Sequence, residues 1–365
     1  MEILFEKDKK VLVTGGAGFI GGALIRRLLI NNSCEIFNLD KLGYASDLTG
    51  IDSILSKAKS DDRERYKFIK LNLVNQKRLR EALFSINPDI IFHLAAETHV
   101  DRSIDNPSEF INSNIIGTFN LLNTVKEFLE ESSIKKRNSF RFHHISTDEV
   151  FGSLGNKGHF TESSRYQPRS PYSSTKAASD HLVNAWHHTY GLPTIITNCS
   201  NNYGPWQFPE KLLPLIINRA LSRRSIPMYG DGLNRRDWLY VEDHIDAILL
   251  ASKKGKVGQT FCIGGGEEKT NKEVIFQTCK FLEKYLDLDY SCTNLIKNVQ
   301  DRPGHDFRYS IDSSYAREEL GWAPKNTFNE GLKRTIEWYV KNQDWSKKIL
   351  KKANYNISRM GILKE

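Results

Sequence analysis

Thr147, Asp148 and Glu149 are consecutive, and downstream Tyr172 and Lys176 stand four residues apart. That spacing puts the phenol and the amine on one face of a helix. Together the five supply a hydroxyl donor, two carboxyls and a Tyr/Lys base. A phenol has a reference pKa of about 10, too high for a base at neutral pH. A neighbouring ammonium and the positive charge of an oxidised nicotinamide would favour its phenolate. Lys176 could also hold nicotinamide-ribose hydroxyls. A plain dehydrogenase needs one proton-transfer group beside its nicotinamide. Two further carboxyls point to elimination of water as well as movement of hydride. The ordinary alternative is that Asp148 and Glu149 merely cap a helix at the surface. Neighbouring carboxylates beside a bound diphosphate are costly, however, unless one is protonated or used.

Such residues need a scaffold that brings a cofactor to them. Lys10–Thr14 is a short apolar run, read as a buried parallel strand, and Gly15-Gly16-Ala17-Gly18-Phe19-Ile20-Gly21 follows it. Gly15 permits a tight turn, Gly18 lets the backbone approach a pyrophosphate at a helix N-terminus, and Gly21 lets the helix pack on the sheet. Asp40 ends a second strand, Glu35–Asp40, about 20 residues further on. A carboxylate there accepts from the adenosine ribose 2′-hydroxyl and repels a 2′-phosphate, so NAD is the expected cofactor rather than NADP.

Further strands are predicted at Tyr66–Leu71, Asp89–Leu94, Phe140–Ile145 and Thr194–Asn198, with helical patterns at Gly21–Leu29, Leu79–Phe84 and Asn114–Leu129. The alternation argues for a parallel, doubly wound sheet with right-handed crossovers. Ser146–Gly152 falls just past the carboxyl end of the fifth strand, the edge where such sheets bind ligands. Beyond Tyr203, Pro205, Pro209, Pro214 and Pro227 punctuate shorter elements. The expected architecture is α/β: a Rossmann-type doubly wound sheet with a smaller, mixed C-terminal substrate-binding domain. Residues 1–203 would bind NAD, with 237–264 returning to that domain. Residues 204–236 and 265–342 would bind substrate, and 343–365 would form a basic tail.

Composition narrows the function classes. Of 365 residues, 39% are hydrophobic, enough for a substantial core. The five cysteines form no CxxC pair, so neither a disulfide framework nor a zinc or other metal site is expected. No run approaches the ~18 apolar residues of a membrane span, and a cytoplasmic protein without a membrane partner is predicted. The net charge is +8, but much of the excess sits in the tail, at Lys347, Lys348, Lys351, Lys352, Arg359 and Lys364. No aromatic platform or nucleic-acid motif accompanies it, so no nucleic-acid partner is expected. Basic residues elsewhere suit an anionic small molecule such as a diphosphate.

The G-x-x-G-x-x-G spacing with Tyr-x-x-x-Lys resembles the extended short-chain dehydrogenase/reductase family. Ser146–Gly152 and His93–Ile104 closely resemble the dTDP-glucose 4,6-dehydratases within it, and the likeness runs from about Lys10 to Asn342. Related decarboxylases and GDP-mannose dehydratase carry serine in place of the middle Asp, which makes Asp148 the discriminating residue. For the cofactor the resemblance implies Phe19 and Ile20 in the glycine loop, Lys41 and Leu42 after Asp40, and Asn72 and Leu73 at the adenine edge. It adds Leu94, Ala95 and Ala96, then Ser113 and Asn202. For a nucleotide-diphosphate sugar it implies Thr98, Asn201, Lys211, Leu212, Pro227 and Tyr229, together with Arg236, Asn271, Arg302 and His305. Guanidinium forks at Arg236 and Arg302 suit a diphosphate.

The implied reaction converts dTDP-glucose to dTDP-4-keto-6-deoxyglucose. Tyr172 takes the O4 proton, Thr147 binds the keto oxygen, Glu149 removes the C5 proton and Asp148 protonates the departing C6 hydroxyl. A UDP-sugar 4-epimerase, a UDP- or CDP-glucose 4,6-dehydratase and a non-catalytic NAD-binding sensor or scaffold are the alternatives. An epimerase has no use for the two carboxyls, and a sensor none for the Tyr/Lys pair. The family also implies a homodimer, through helices near Asn106–Glu130 and Tyr172–Tyr190. Phe151, Thr98, Trp206, Asn72-Leu73, Arg235 and Phe307 depart from the family pattern and bear on specificity more than on the reaction.

Overall fold

The computed structural model describes residues 5–301 and 303–353. Seven strands form one parallel sheet: β1 (Lys10–Thr14), β2 (Glu35–Asp40), β3 (Tyr66–Lys70), β4 (Ile90–His93), β5 (Arg141–Thr147), β6 (Thr194–Cys199) and, later in the chain, Thr260–Ile263. The order runs from Thr260–Ile263 through β6, β5, β4, β1 and β2 to β3, so the sequential strand order reverses between β1 and β4. A cleft therefore opens at the carboxyl ends of these two neighbours. Helices cover both faces, which is why β4 and β6 are buried along their whole length. Val11, Val13 and Phe92 pack against the Phe19–Asn31 helix side. Leu12, Ile91 and Phe142 pack against the opposite layer.

β5 runs two residues past its predicted end. Ser146 and Thr147 stay in register with Asn198 and Cys199 of β6, so Thr147 is the last strand residue rather than part of the loop. The predicted Asn114–Leu129 helix is also not uniform. Residues Ile111–Ile116 form a π-helical turn before the regular Gly117–Glu130 helix. Within that wide turn Asn114 accepts from the Glu97 backbone N–H at 2.8 Å and donates to Thr175 Oγ1 at 2.9 Å. It thereby ties the loop after β4 to the Pro171–Tyr190 helix.

Smaller strands complete the chain: β7 (Asn201–Tyr203), β8 (Ile226–Tyr229), β9 (Arg235–Tyr240), then Glu268–Thr270 and Ile296–Val299. β9 lies between β7, parallel, and Glu268–Thr270, antiparallel, while β8 pairs in parallel with Ile296–Val299. A separate apolar cluster, including Tyr203, Ile217, Val274, Phe328 and Tyr339, sits under these elements. No helix among the described residues is long and apolar enough to cross a membrane.

Residues Gln343–Lys352, within the stretch read as a basic tail, form a helix. The physical reason is Trp345, whose ring meets Trp206 at 5.3 Å and Trp338 at 5.1 Å while its indole N–H donates to Asp47 at 2.8 Å. Lys347, Lys348 and Lys351 of that helix are exposed, while the Lys352 ammonium donates to the Ser46 carbonyl at 3.1 Å. Arg359 and Lys364 lie outside the described residues.

Candidate active site

The loop after β1 has the shape an incoming phosphate requires. Gly15 adopts φ +72°, and a Cβ there would lie 2.7 Å from the Ala95 backbone. A Cβ on Gly21 would sit 2.3 Å from the Gly15 carbonyl oxygen. The Phe19–Asn31 helix starts at Gly18 without a side-chain cap, so its first-turn N–H groups are left for a ligand. Asp40 is buried at the end of β2. It accepts from the Ala17 N–H at 3.1 Å, the Leu42 N–H at 2.7 Å and the Ser46 hydroxyl at 3.0 Å. One carboxylate thus fixes both walls of the adenosine end and retains acceptor capacity for a ribose hydroxyl. The donor set and the glycine cradle fit NAD.

All five proposed catalytic residues line the same cleft as this loop. So do Gly15, Gly18, Phe19, Ile20, Gly21 and Asp40, and also Lys41, Asn72, Leu73, Leu94, Ala95, Ala96, Ser113 and Asn202. Leu42 does not; its contribution is the backbone N–H on Asp40 and a left-handed φ of +58°. Of the proposed substrate residues, Thr98, Asn201 and Lys211 line the cleft, and the Lys211 ammonium donates to the Thr98 carbonyl at 3.1 Å.

The other substrate candidates are spread over the smaller sheets. Leu212 opens the Leu212–Leu221 helix and Asn271 opens the Asn271–Leu286 helix. Pro227 and Tyr229 lie on β8, and the Tyr229 ring meets that of His305 at 6.3 Å. His305 Nδ1 is 2.7 Å from Asp301. Arg236 is buried over the Tyr309 ring at 4.4 Å, with its guanidinium donating to the carbonyls of Arg235 and Asp306. Arg302 lies outside the described residues.

Local chemistry positions the reacting groups. Thr147 caps the short Asp148–Phe151 turn by accepting from the Glu149 N–H at 3.3 Å. Ser170 and Ser173 form a reciprocal capping box, with Pro171 in the first turn of the long helix, which fixes Tyr172 at its mouth. Asp148 is 1% exposed, and its Oδ2 is buried without a hydrogen-bond partner. Burial, then the carboxyls of Glu149 and Asp237, push its pKa well above the usual carboxylate range against Arg236 and the Thr147 hydroxyl. Burial, with Glu149, Cys199 and Asp148, likewise raises the Tyr172 phenol, opposed by a hydrogen bond with Thr147. Lys176 donates to the Ile145 carbonyl at 2.9 Å, and burial lowers its pKa.

Several contacts in and beneath the cleft were not assigned from the sequence. Tyr44 and Glu210 line the cleft, joined by a 2.6 Å hydrogen bond, with Arg102 stacked 3.6 Å from the Tyr44 ring centroid. Lys41 pairs with Glu97 at 2.5 Å. Beneath Lys176, Asp180 and His144 form a buried pair. The i+4 spacing of Asp180 from Lys176 was the available signal for the last of these; Glu97, Arg102 and Glu210 lie in stretches that carry the family likeness, but their pairings form only through the fold.

Comparison with known proteins follows the same lines. A family model described as GDP-mannose 4,6 dehydratase matches residues 12–335. A dTDP-glucose 4,6-dehydratase of Neisseria meningitidis serogroup B is 47% identical over 358 residues, covering 97% of this chain and 99% of the relative. The crystal structure of a dTDP-glucose 4,6-dehydratase from Bacillus anthracis in complex with NAD superimposes with a TM-score of 0.81 at 41% identity, over 93% of this chain and 99% of that one. A Streptomyces venezuelae dTDP-glucose 4,6-dehydratase with NAD bound gives 0.83 at 39% identity, with the same coverage. The chain belongs to the dTDP-glucose 4,6-dehydratases, within the wider dehydratase family that the model describes.

Proposed function

We propose that this cleft dehydrates dTDP-glucose to dTDP-4-keto-6-deoxyglucose, with the work divided among the five residues that line it. Bound NAD supplies the hydride acceptor for C4 and the hydride donor for C6. Tyr172 accepts the proton of the sugar O4 hydroxyl, and Lys176 provides the fixed positive charge below it. Thr147 donates a hydrogen bond to the 4-keto oxygen. The ketone acidifies C5–H, Glu149 takes that proton, and Asp148 gives its proton to the C6 hydroxyl as it leaves as water.

The observation that carries this reading is Asp148: a buried carboxyl, one oxygen without a hydrogen-bond partner, whose pKa burial raises well above the usual range, beside a second carboxyl in the same cleft. An epimerase has no use for such a proton donor. Substrate contacts are assigned to Thr98, Asn201, Lys211, Leu212, Pro227, Tyr229, Arg236, Asn271, Arg302 and His305. NAD is assigned to Gly15, Gly18, Phe19, Ile20, Gly21, Asp40, Lys41, Leu42, Asn72, Leu73, Leu94, Ala95, Ala96, Ser113 and Asn202, with Tyr172 and Lys176 at its nicotinamide end. Residues 204–236 and 265–342 form the substrate half, and 1–203 with 237–264 the cofactor half. The enzyme acts in the cytoplasm as a homodimer. What supports the dimer is the exposed apolar set Ile111, Ile116, Phe119 and Tyr190 on the two helices that pair in the family.

Incubation with dTDP-glucose, with UDP-glucose and CDP-glucose alongside, tests the function through the alkaline absorbance of the 4-keto product. Product from dTDP-glucose alone is expected. Equal conversion of all three would remove the thymidine assignment, and no conversion of any would remove the function.

A further inference from the structure

The long helix carries a third chemical group in line with its Tyr/Lys pair. Tyr172, Lys176 and Asp180 follow one another at successive four-residue steps and share a face. The first two line the cleft; Asp180 lies a turn deeper and is fully buried. Its carboxylate gathers four donors. His144 Nε2 is 3.0 Å from Oδ1, and Oδ2 accepts from Ser146 Oγ at 2.8 Å, the Tyr166 hydroxyl at 2.9 Å and Asn198 Nδ2 at 3.2 Å. These come from two central strands and the loop before the helix. Both oxygens face donors, so an asparagine amide would turn one acceptor into an N–H aimed at a donor, and the network is built for a carboxylate. A carboxylate buried this deeply demands a compensating cation.

The charges around it identify that cation. From its own helix Lys176 faces Asp180; from β5 it faces His144, from β6 Cys199 and from β4 His93. His144 is neutral, because burial and the Lys176 charge bring its pKa down to about 4. Its Nε2 therefore carries hydrogen toward Asp180, and Nδ1 is left buried without a partner. His93 is likewise neutral through burial. The Asp148 and Glu149 carboxyls act on Tyr172. Lys176 is the fixed cation of this group: its Nζ is 3.4 Å from His144 Nε2, which is itself 3.0 Å from Asp180 Oδ1, so its charge reaches the carboxylate across the imidazole.

We propose that Asp180 is the positioning residue of Lys176: a buried counter-ion that holds the lysine protonated, with its ammonium on the Ile145 carbonyl beneath Tyr172. The inference rests on the function proposed above. It adds that the proton-accepting strength of Tyr172 depends on a carboxylate that never touches substrate or cofactor. Burial alone would raise the Asp180 pKa, but the hydrogen bond and electrostatic attraction of His144, then the Lys176 charge and the Ser146 hydrogen bond, outweigh it and leave it below the ordinary range. The same pair opposes the burial that lowers Lys176.

Two measurements decide it. Asp180→Asn keeps the shape and an acceptor oxygen. With NAD content unchanged, kcat is expected to fall about tenfold or more at neutral pH. The alkaline limb of its pH profile should move down by about one unit or more, since a lysine without its counter-ion loses its proton sooner as pH rises. A profile superimposable on that of the unmodified enzyme would overturn the proposal. The second measurement needs no turnover: thermal unfolding of Lys176→Met, Asp180→Asn and the double variant. Lys176→Met leaves a buried charge unpaired, so adding Asp180→Asn should restore melting temperature. If Asp180→Asn lowers it equally in both backgrounds, the two residues are uncoupled and the proposal fails. Failure of dTDP-glucose conversion by the unmodified chain would leave the unfolding measurement unaffected, so the two failures are distinguishable.

Discussion

Around the glycine loop the surfaces that face the cleft are main chain: the Gly15 turn, the uncapped helix start at Gly18 and the Ala95 backbone. Around Asp148 they are buried side chains, several with polar atoms that find no partner, including Asp148 Oδ2, Ser200 Oγ and Asn201 Oδ1. The two regions solve different problems. A pyrophosphate needs close approach and many N–H groups, which glycine and a helix terminus supply without any charged side chain. Acid–base work needs shifted pKa values, which come from burying titratable groups near one another at a cost in stability. Changes in the first region should therefore alter cofactor retention, and changes in the second should alter turnover while cofactor stays bound.

The largest effect tests the second half of that contrast. Asp148→Asn and Glu149→Gln are each expected to lower kcat by roughly 10²- to 10⁴-fold. Both should retain NAD and still reduce it on mixing with dTDP-glucose, stalling before product. Rapid mixing with absorbance detection of the reduced cofactor reads this directly. Unchanged turnover in both variants would remove the carboxyls from the mechanism.

The glycine loop supplies the converse. Gly18 has an ordinary backbone, and a Cβ there meets only the Gly15 carbonyl, at 3.2 Å. Gly18→Ala should leave the melting temperature nearly unchanged while weakening NAD by ~10- to 200-fold, the range for one intruding carbon. Gly15→Ala differs, because its left-handed φ and the Ala95 backbone penalise the fold itself by about 1–3 kcal/mol. Titration calorimetry with the NAD-stripped protein and thermal unfolding separate the two. Equal melting temperatures in both variants would show that the Gly15 turn is less constrained than its contacts imply.

How far these regions were legible in the sequence follows the same division. The glycine loop and Asp40 are a local pattern, so both strands on either side of them matched the structure residue for residue. β5 was cut short because Ser146 and Thr147 look like loop residues until Asn198 and Cys199 pair with them. The π-helical turn before Gly117 has no periodicity of its own, since it exists to aim Asn114 at Glu97 and Thr175. Of the departures from the family pattern, two were compensated by packing. Phe151 stacks on Phe160 at 5.1 Å, and Trp206 joins Trp338 at 4.6 Å.

The tail helix bears on the cofactor side through two links. Trp345 donates to Asp47, whose N–H donates to the Ala17 carbonyl, and Lys352 donates to the Ser46 carbonyl, whose hydroxyl donates to Asp40. Trp345→Ala should therefore weaken NAD by a few-fold and lower stability by about 1–3 kcal/mol, below the range for a fully buried tryptophan. A loss of stability with unchanged NAD affinity would confine the helix to a packing role.

The smallest effect probes how the catalytic side sets its own acidity. Asp237 is buried on β9 and accepts from the Glu267 N–H at 3.1 Å. Burial pushes its pKa up to about 6, and its charge is one of the influences that keep Asp148 protonated. Asp237→Asn removes that charge, so the Asp148 pKa falls. Activity that needs a protonated Asp148 is then lost at a lower pH as pH rises. Below about 6 Asp237 is itself mostly protonated, so variant and unmodified enzyme should converge there and diverge above it. The expected displacement of the alkaline limb is under about one unit, because Asp237 ranks behind burial and Glu149 among the influences on Asp148. A limb displaced upward would mean that Asp237 acts on the site through its hydrogen bonds rather than its charge. It would also place the origin of the neutral Asp148 in burial and Glu149 alone.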